Sequence, residues 1–385
     1  MADRLPSERH IGDFREGDVY HHGAVRVTPV RNRQYVKKFG GGDLEANEPL
    51  STALGYIDPE AGTKERNAGI AEPALVSRGF LFNTAFGLSV HDVSFNAVAN
   101  LSYSNLRFGE TVFEGDTIEA RSTVLGVEFR KDGATNGSVQ VETAASNQRG
   151  ERVLTYTRQV LVRGAKGSVF DKSSSVKPQP AEADLSAVSL PLPVPEGAIT
   201  APGKCFEELG EGAEIFAAEE RGITLADFSW LQIATLNDAA VHHTPSSVFI
   251  GYGGAVKARC EGALAPEFPY SFQLAMNSGV HSAPTYPSDI VRELYAGGSE
   301  DPHEAIRTRA EVLSREEISG RRDYGLVTVR IIGEKQVTDG GMRALEAAKF
   351  GGADAIFEDG GRKMLGVLTM EQVLAVPTER CFKRT

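Results

Sequence analysis

A short polar cluster at residues 234–245 carries the side chains best suited to acid–base chemistry. It contains an amide, Asn237, a carboxylate, Asp238, and two imidazoles, His242 and His243. Two registers place an acid or amide five residues before a histidine: Asp238 with His243, or Asn237 with His242. A histidine in such a pair can hold and polarise one water molecule, and general base assistance contributes about 10²–10⁴ in rate. The simpler alternative is that the imidazoles cap the C-terminus of the preceding helix.

A glycine-rich segment lies just downstream of this cluster. Residues 250–256 read I-G-Y-G-G-A-V and lead into a predicted helix. Small residues at a helix start let a ligand approach backbone N–H groups, which can bind a thioester oxygen as it becomes an enolate oxyanion. Tyr252, Gly253 and Gly254 are therefore the predicted oxyanion and substrate-binding residues. The alternative is a turn that needs a positive φ at one of the glycines.

The elements that position these residues occur twice. Residues 118–125 (I-E-A-R-S-T-V-L) recur as residues 306–313 (I-R-T-R-A-E-V-L), and V-L-T at 153–155 recurs at 367–369. A repeat of this length, roughly 150–170 residues, is a duplicated domain and not a solenoid unit. Duplication allows one copy to lose its chemistry while the other keeps it.

The positions of the remaining histidines indicate that only one of the two duplicated domains is catalytic. His281 could be a core histidine or a cleft wall, and we favour a structural role. The part of the first half that matches the histidine pair by position, residues 37–51, contains no histidine. His21, His22 and His91 lie elsewhere in that half. We therefore expect the first half to be catalytically silent.

Each half combines a helix with several long strands. Apolar residues alternate with polar ones over these strands, as around Val139 and Val141. A helix followed by antiparallel strands is an α+β unit, and a helix wrapped by a strongly curved sheet is a hot-dog unit. We therefore predict an α+β protein with a tandem, or double, hot-dog fold. The predicted helices cover 73–88, 225–238 (with Thr224 as N-cap) and 255–264.

Composition shifts divide the chain into three parts. Residues 164–204 are rich in Ser, Pro, Ala and Gly and predict an inter-domain linker. The N-terminal hot-dog domain then covers 10–163, and the C-terminal domain, which carries the histidine cluster, covers 205–377. An insertion at 339–362 interrupts the second repeat, and we interpret it as a surface excursion. A second excursion is expected at 293–304.

Composition also excludes several classes of function. The 385 residues carry a formal net charge of −11, which argues against a nucleic-acid surface. Cys205, Cys260 and Cys381 are far apart without a C-x-x-C, so neither a disulfide framework nor a metal site is expected. No signal region or apolar run of about eighteen residues is present, so we expect a cytoplasmic protein with no membrane partner.

Cationic side chains in predicted turns are the candidates for binding the phosphates of an anionic ligand. Guanidinium forks suit phosphates, although most turn arginines are only solvated. The candidates are Arg130, Lys131, Arg149, Arg152, Arg321 and Arg322.

Several blocks of the chain closely resemble the mesaconyl-CoA hydratases, or β-methylmalyl-CoA dehydratases, of the MaoC-like double hot-dog hydratases. In the second half, I-A-T-L-N-D-A-A-V-H-H and Y-G-G-A-V are similar to the family pattern. The resemblance covers most of residues 10–333. The other matching blocks are D-F-R-E-G-D-V at 13–19, V-S-F-N-A-V-A-N-L-S-Y-S-N-L-R-F at 93–108, E-G-D-T at 114–117, residues 147–163 and residues 312–327.

The resemblance implies reversible addition of water to a 2-enoyl-CoA, with mesaconyl-CoA giving β-methylmalyl-CoA and no cofactor beyond the CoA of the substrate. By position, His242 matches the family histidine and Asn237 the residue five before it. The broader enoyl-CoA hydratases use Asp-x4-His, which Asp238 and His243 also satisfy. Ala255 stands where the family often has a histidine, which leaves the acyl group open. The implied CoA-binding candidates are Arg130, Lys131, Arg321 and Arg322.

Two other functions stay open at this point. Hot-dog folds also serve acyl-CoA thioesterases, which would release free CoA thiol. A non-catalytic acyl-CoA-binding protein would bind its ligand without turnover. The polar pairs beside a Gly-Gly helix start favour an enzyme, because a scaffold does not need them. The oligomeric state is open, and a homo-oligomer is a candidate.

Overall fold

A computed structural model describes most of the chain. Several sequence predictions fall wholly or partly outside the described residues, among them His243, residues 41–51 of the segment at 37–51, residues 296–303 of the excursion at 293–304, and residues 348–351 of the insertion at 339–362. The described residues are 9–40, 73–200, 202–242, 250–295, 304–347 and 352–383.

Long strands and a few helices make up each half. The first half contains β1 (Val19–Arg26), α1 (Pro29–Phe39), α2 (Arg78–Leu88), β2 (Ala97–Phe108), β3 (Thr117–Phe129), β4 (Asn136–Asn147) and β5 (Arg152–Arg163). The connecting segment contains β6 (Ser173–Ser174). The second half contains β7 (Glu214–Phe216), α3 (Leu225–Thr235), α4 (Gly253–Leu264), β8 (Phe272–His281), α5 (Ser288–Tyr295), β9 (Ile306–Glu317), β10 (Tyr324–Gln336), α6 (Asp339–Ala347), β11 (Phe357–Asp359) and β12 (Arg362–Pro377).

The strands form one twelve-stranded antiparallel sheet. Its order is β1-β3-β4-β5-β2-β8-β12-β10-β9-β7, with β6 beside β3 and β11 beside β12. The halves meet where β2 pairs with β8, so that Ser102 opposes Val280 and Leu106 opposes Met276. This pairing removes one exposed edge from each half, and the two halves share a continuous sheet. The predicted α+β class is confirmed.

The helices α2 and α4 are the central helices of the two halves. Every residue of α2 is buried, because its sequence is apolar almost all round. Each central helix also packs closely on a helix of the other half. A Cβ added at Gly87 of α2 would lie 1.7 Å from the Thr235 carbonyl oxygen of α3, and one at Gly262 of α4 would lie 1.5 Å from the Phe39 carbonyl oxygen of α1. Only glycine permits these contacts.

Helix α3 begins at Leu225 as predicted, and Thr224 is its N-cap. The Thr224 hydroxyl accepts a hydrogen bond from the Asp227 backbone N–H (3.2 Å). The helix ends at Thr235, earlier than predicted, because Leu236 adopts a left-handed conformation (φ 60°). The polar cluster therefore leaves the helix and does not continue it.

We expect Thr224→Ala to lower the free energy of unfolding by about 1 kcal/mol, the usual contribution of a hydroxyl N-cap. The change also breaks a capping box, since the Asp227 carboxylate accepts from the Thr224 backbone N–H (3.3 Å). Urea denaturation measures the loss. Thr224→Ser keeps the hydroxyl and is the control. Equal stability of the alanine variant and the wild type would contradict a stabilising cap.

The connecting segment at 164–204 lies along the sheet and is anchored at several points. The Ala183 backbone N–H donates to the Asn277 side chain of β8 (3.0 Å), and the Val194 backbone N–H donates to Asp323 beside β10 (2.9 Å).

The insertion at 339–362 is also partly packed, because α6 buries Leu345 in an apolar cluster with Tyr286. It is therefore more than a surface excursion. Within the described ranges, no helix is long and apolar enough to cross a membrane.

Candidate active site

A cavity of about 400 Å³ lies where the two halves meet, a size typical of small-molecule sites. Strands β2 and β5 of the first half form one wall. The polar segment after α3, the start of α4 and the end of β8 form the other. The amide and ionisable side chains that line it are Asn100, Tyr103, Arg158, Asn237, His242, Tyr252 and His281. Four of the predicted site residues, Asn237, His242, Tyr252 and Gly253, thus meet in one cavity.

The His242 ring is held in one tautomer. Its Nδ1 atom lies 2.9 Å from the backbone carbonyl oxygen of Ile250. Because a carbonyl only accepts hydrogen bonds, Nδ1 carries the hydrogen, and the lone pair of the neutral ring is on Nε2. A neutral imidazole oriented in this way has the form that a general base requires.

Asn237 offers a buried donor on the same cavity wall. Its Oδ1 atom accepts from the Ala239 backbone N–H (3.2 Å), which fixes the amide. Its Nδ2 atom is buried and makes no hydrogen bond of good geometry to any residue that the structure describes, while the Asn237 side chain lies close enough to the Tyr252 hydroxyl to offset part of the rise in the pKa of that phenol. Buried polar groups are nearly always paired. A water molecule or a substrate oxygen in the cavity would complete this one.

Tyr252 forms a wall of the cavity and links the halves. Its hydroxyl donates to Asn83 Oδ1 of α2 (2.7 Å), and Asn83 donates in turn to the Gly79 carbonyl oxygen (2.9 Å). Burial raises the pKa of Tyr252 well above its ordinary value, so the phenol stays protonated. A Cβ at Gly254 would lie 2.1 Å from Asn83 Oδ1, so glycine is needed there for this contact.

Gly253 is the first residue of α4 and lies at the cavity. Neither Gly253 nor Gly254 has a positive φ, so the alternative of a glycine turn is wrong. The absence of a side chain instead lets His281 come close, because a Cβ at Gly253 would lie 2.8 Å from His281 Nε2. The positive end of the α4 dipole therefore meets the cavity with no side chain from Gly253 in front of it, and the His281 ring lies beside it.

His281, for which a structural role was favoured, lies on the cavity wall. Its Nε2 atom is buried and has no hydrogen-bond partner within the described ranges. Burial, with a smaller contribution from the Lys257 charge, lowers the pKa of His281 to about 4. The ring is therefore neutral near pH 7.

Other predicted site residues are placed elsewhere. Oδ2 of Asp238 pairs with Nε2 of His91, and both side chains are about half exposed, whereas Oδ1 of Asp238 is buried with no hydrogen-bond partner among the described residues. Arg130 is exposed beside Glu128. Arg321 is bound to Asp323 and to the Pro191 carbonyl oxygen. Six of the predicted site residues do not line the cavity: Asp238, Gly254, Arg130, Lys131, Arg321 and Arg322.

The corresponding position in the first half is nearly filled. A cavity of about 70 Å³ lies beside the start of α2, and no histidine is among the described residues that line it. The Arg78 guanidinium lies at the start of the same helix, buried and stacked on Phe272 at 3.6 Å from the ring centroid. His22 of this half is bound instead in a buried network, with Nδ1 2.7 Å from Asp92 and Nε2 2.7 Å from the Ser122 hydroxyl.

We expect the protein to lose stability as the pH falls from about 6.5 to about 4. Burial lowers the pKa of His22 below 6.5, and that of His281 to about 4. In this window the unfolded chain binds protons that the folded chain does not, so the free energy of unfolding decreases with decreasing pH. Thermal unfolding at pH 7.5, 5.5 and 4.5 measures the effect. His281→Gln should reduce the slope, and an unchanged slope would contradict a contribution from this ring.

Sequence reasoning missed Arg158 of β5, which is buried and lines the cavity. A signal was present. Residues 154, 156, 158, 160 and 162 alternate with more polar positions, so an arginine stands on the inward face of a strand. An arginine is rarely fully buried unless it is paired.

Comparison with known proteins places the chain among curated enzymes. It is 33% identical over 308 residues to a mesaconyl-CoA hydratase of Cereibacter sphaeroides, covering 74% of this chain and 81% of that protein. It is 27% identical over 351 residues to a β-methylmalyl-CoA dehydratase of Chloroflexus aurantiacus, covering 87% and 90%. No family model matches the chain.

Solved structures of low sequence identity share the fold. A MaoC domain protein dehydratase from Chloroflexus aurantiacus superposes with a TM-score of 0.76 at 22% identity, over 98% of this chain and 100% of that one. A conserved double hotdog protein from Mycobacterium tuberculosis superposes with a TM-score of 0.65 at 17% identity, over 96% and 99%. The predicted double hot-dog fold is confirmed. By its sequence relatives, the chain belongs to the mesaconyl-CoA hydratase (β-methylmalyl-CoA dehydratase) family of lyases.

Proposed function

We propose that this protein is a hydro-lyase that reversibly adds water to a 2-enoyl-CoA, with mesaconyl-CoA as the substrate and β-methylmalyl-CoA as the product. One observation carries the proposal. Asn237 and His242 line the same cavity as the start of α4, so a base, a donor for water and a helix N-terminus share one space. The names of the two relatives, a mesaconyl-CoA hydratase and a β-methylmalyl-CoA dehydratase, describe enzymes that act on this class of thioester.

In the proposed mechanism His242 is the general base. Its Nε2 atom takes a proton from a water molecule that the Asn237 amide orients. The water oxygen adds to C3 of the enoyl group, and the electrons of the double bond move to C2 and the thioester oxygen. The imidazolium of His242 then returns the proton to C2. Asn237 with His242 is therefore the register that we assign to the reaction.

The start of α4 stabilises the charge that develops on the thioester. An enolate oxygen at Gly253 would meet backbone N–H groups and the positive end of the helix dipole. Gly253 presents no side chain to block the approach. Tyr252, whose hydroxyl is bound to Asn83, holds the helix start in place. No resident cofactor is needed for these steps.

The first half supplies walls to this site but performs no chemistry of its own. Strands β2 and β5 line the cavity, whereas no histidine is among the described residues that line the small cavity at α2. We therefore assign the catalytic residues to the domain at 205–377 and a binding role to the domain at 10–163.

A panel of enoyl-CoA thioesters, mesaconyl-CoA first, tests the proposal. Loss of the enoyl-thioester absorbance without release of thiol is expected, and the activity should survive dialysis against EDTA. Release of CoA thiol would favour a thioesterase. Binding without turnover of any member of the panel would favour a non-catalytic acyl-CoA-binding protein. Either result would overturn the proposed reaction.

We also propose that the protein is cytoplasmic. Cys205, Cys260 and Cys381 are all buried free thiols, which is usual where disulfides do not form.

Sedimentation of the purified protein tests whether it is a homo-oligomer.

A further inference from the structure

Arg158 places a full positive charge inside the cavity. It lies on β5, is 1% exposed and is among the cavity-lining residues. An arginine cannot discharge by losing its proton under ordinary conditions, even though burial lowers the pKa of Arg158 below its usual value. The charge must therefore be balanced by its surroundings.

The protein partners of this guanidinium are neutral. One terminal nitrogen donates to the Ser89 hydroxyl (2.8 Å) and the other is 3.4 Å from the Ser94 hydroxyl. The guanidinium carbon lies 4.3 Å from the centroid of the Phe86 ring. The Nε atom is buried and makes no hydrogen bond in the part of the chain that the structure describes.

No carboxylate among the described residues forms an ion pair with Arg158. The carboxylate of the same region, Asp92, is bound to Arg9 (2.6 Å) and to His22 (2.7 Å). A buried charge without a counter-charge is costly, and such a group in a cleft is a functional-site candidate. A serine pair and an aromatic face orient the guanidinium but do not neutralise it.

The duplication gives the strand position of Arg158 a different residue in each half. The alignment that matches V-L-T at 153–155 with V-L-T at 367–369 sets Arg158 against Gln372. Gln372 is a neutral amide bonded to Glu261, and it lines the small cavity at α2. The same strand position therefore carries an arginine in one half and an uncharged side chain in the other.

We propose that Arg158 binds a free carboxylate on the acyl group, so that the enzyme selects CoA thioesters of unsaturated dicarboxylic acids. The inference rests on the proposed function and assigns its specificity to one residue. A guanidinium fork fits a carboxylate in two parallel hydrogen bonds. With the thioester at the start of α4 and the carboxylate at β5, the double bond lies between two fixed ends, and C3 is held for water addition.

The first test compares two substrates of nearly equal shape. Mesaconyl-CoA carries a carboxylate where trans-2-methylcrotonyl-CoA carries a methyl group. The ratio of kcat/KM for the two should strongly favour mesaconyl-CoA in the wild type. Arg158→Gln, which installs the residue of the duplicated half, should lower this ratio on the order of hundredfold. Arg158→Lys should keep part of the preference, because it keeps the charge but not the fork. An equal loss on both substrates would overturn the assignment.

The second test does not depend on turnover. Calorimetry compares methylsuccinyl-CoA with 2-methylbutyryl-CoA, the saturated analogues of the same pair. We expect the wild type to bind the former more tightly and Arg158→Gln to lose the difference. Equal affinities in the wild type would overturn the inference even if the enzyme hydrates enoyl-CoA. A wild type that shows the preference but no hydration would overturn the proposed reaction and leave Arg158 as a carboxylate-binding residue.

The melting temperature of the free protein gives an independent readout. Removal of an unbalanced buried charge should raise it in Arg158→Gln. A large decrease would instead show that Arg158 is a structural residue and would count against the proposal.

Discussion

His242→Gln is expected to lower kcat about 10²–10⁴-fold, the usual contribution of a general base. Glutamine is close to histidine in size and still carries an amide donor, which matches the position of Nε2 and not that of Nδ1, the atom that contacts the Ile250 carbonyl oxygen. It offers no group that can take a proton from water. The measurement is hydration of mesaconyl-CoA under saturating substrate, together with the melting temperature.

Two comparisons make this result specific. His242→Ala should lose as much activity as His242→Gln, since both lack the base. Activity retained in the glutamine variant alone would show that the ring only positions its neighbours. Asn237→Ala should also lower kcat, because it removes the amide that orients water. Asp238→Asn should change it by no more than about twofold, as for a surface side chain. The reverse order for these two variants would restore the Asp238–His243 register.

The spacing of the polar cluster could not decide between its two registers. The residues of both pairs are five apart, and both pairs start at the end of the same predicted helix. The distinction arises where α3 ends, because the left-handed residue Leu236 turns the chain. Asn237 then faces the cavity while Asp238 reaches His91 of the other half. That contact joins residues far apart in sequence, so no local pattern predicts it.

The duplicated domain and its strands were predictable because periodicity and repetition are local signals. The pairing of β2 with β8 was not, since it depends on how the halves pack. The cationic candidates in turns do not line this cavity, and their role as CoA-binding residues stays a prediction. Turn arginines such as Arg321 find carboxylates close in sequence, here Asp323. The buried Arg158 lies on a strand, so it was not among the cationic residues of predicted turns that were named as candidates.

Gly253→Pro is expected to lower kcat about 10²–10³-fold relative to Gly253→Ala, the usual cost of losing one oxyanion donor. Proline is tolerated at the first position of a helix, where its missing N–H has no partner within the helix. The preceding residue, Tyr252, has φ −66° and ψ 120°, which suits the residue before a proline. The substitution therefore removes one N–H group from the start of α4 while the helix can still form.

Gly253→Ala is the matched control, because its Cβ meets the same atom, Nε2 of His281, while the N–H remains. The two variants share the added Cβ, and proline differs by two further ring carbons, one of which replaces the N–H hydrogen. Affinity for the saturated thioester methylsuccinyl-CoA should differ little between them, since a donor aimed at the enolate acts mainly in the transition state. Equal kcat in the two variants would show that the N–H of residue 253 does not stabilise the enolate. If the two variants have equal kcat and both bind the thioester more weakly than the wild type, the only role of Gly253 is to make room for His281.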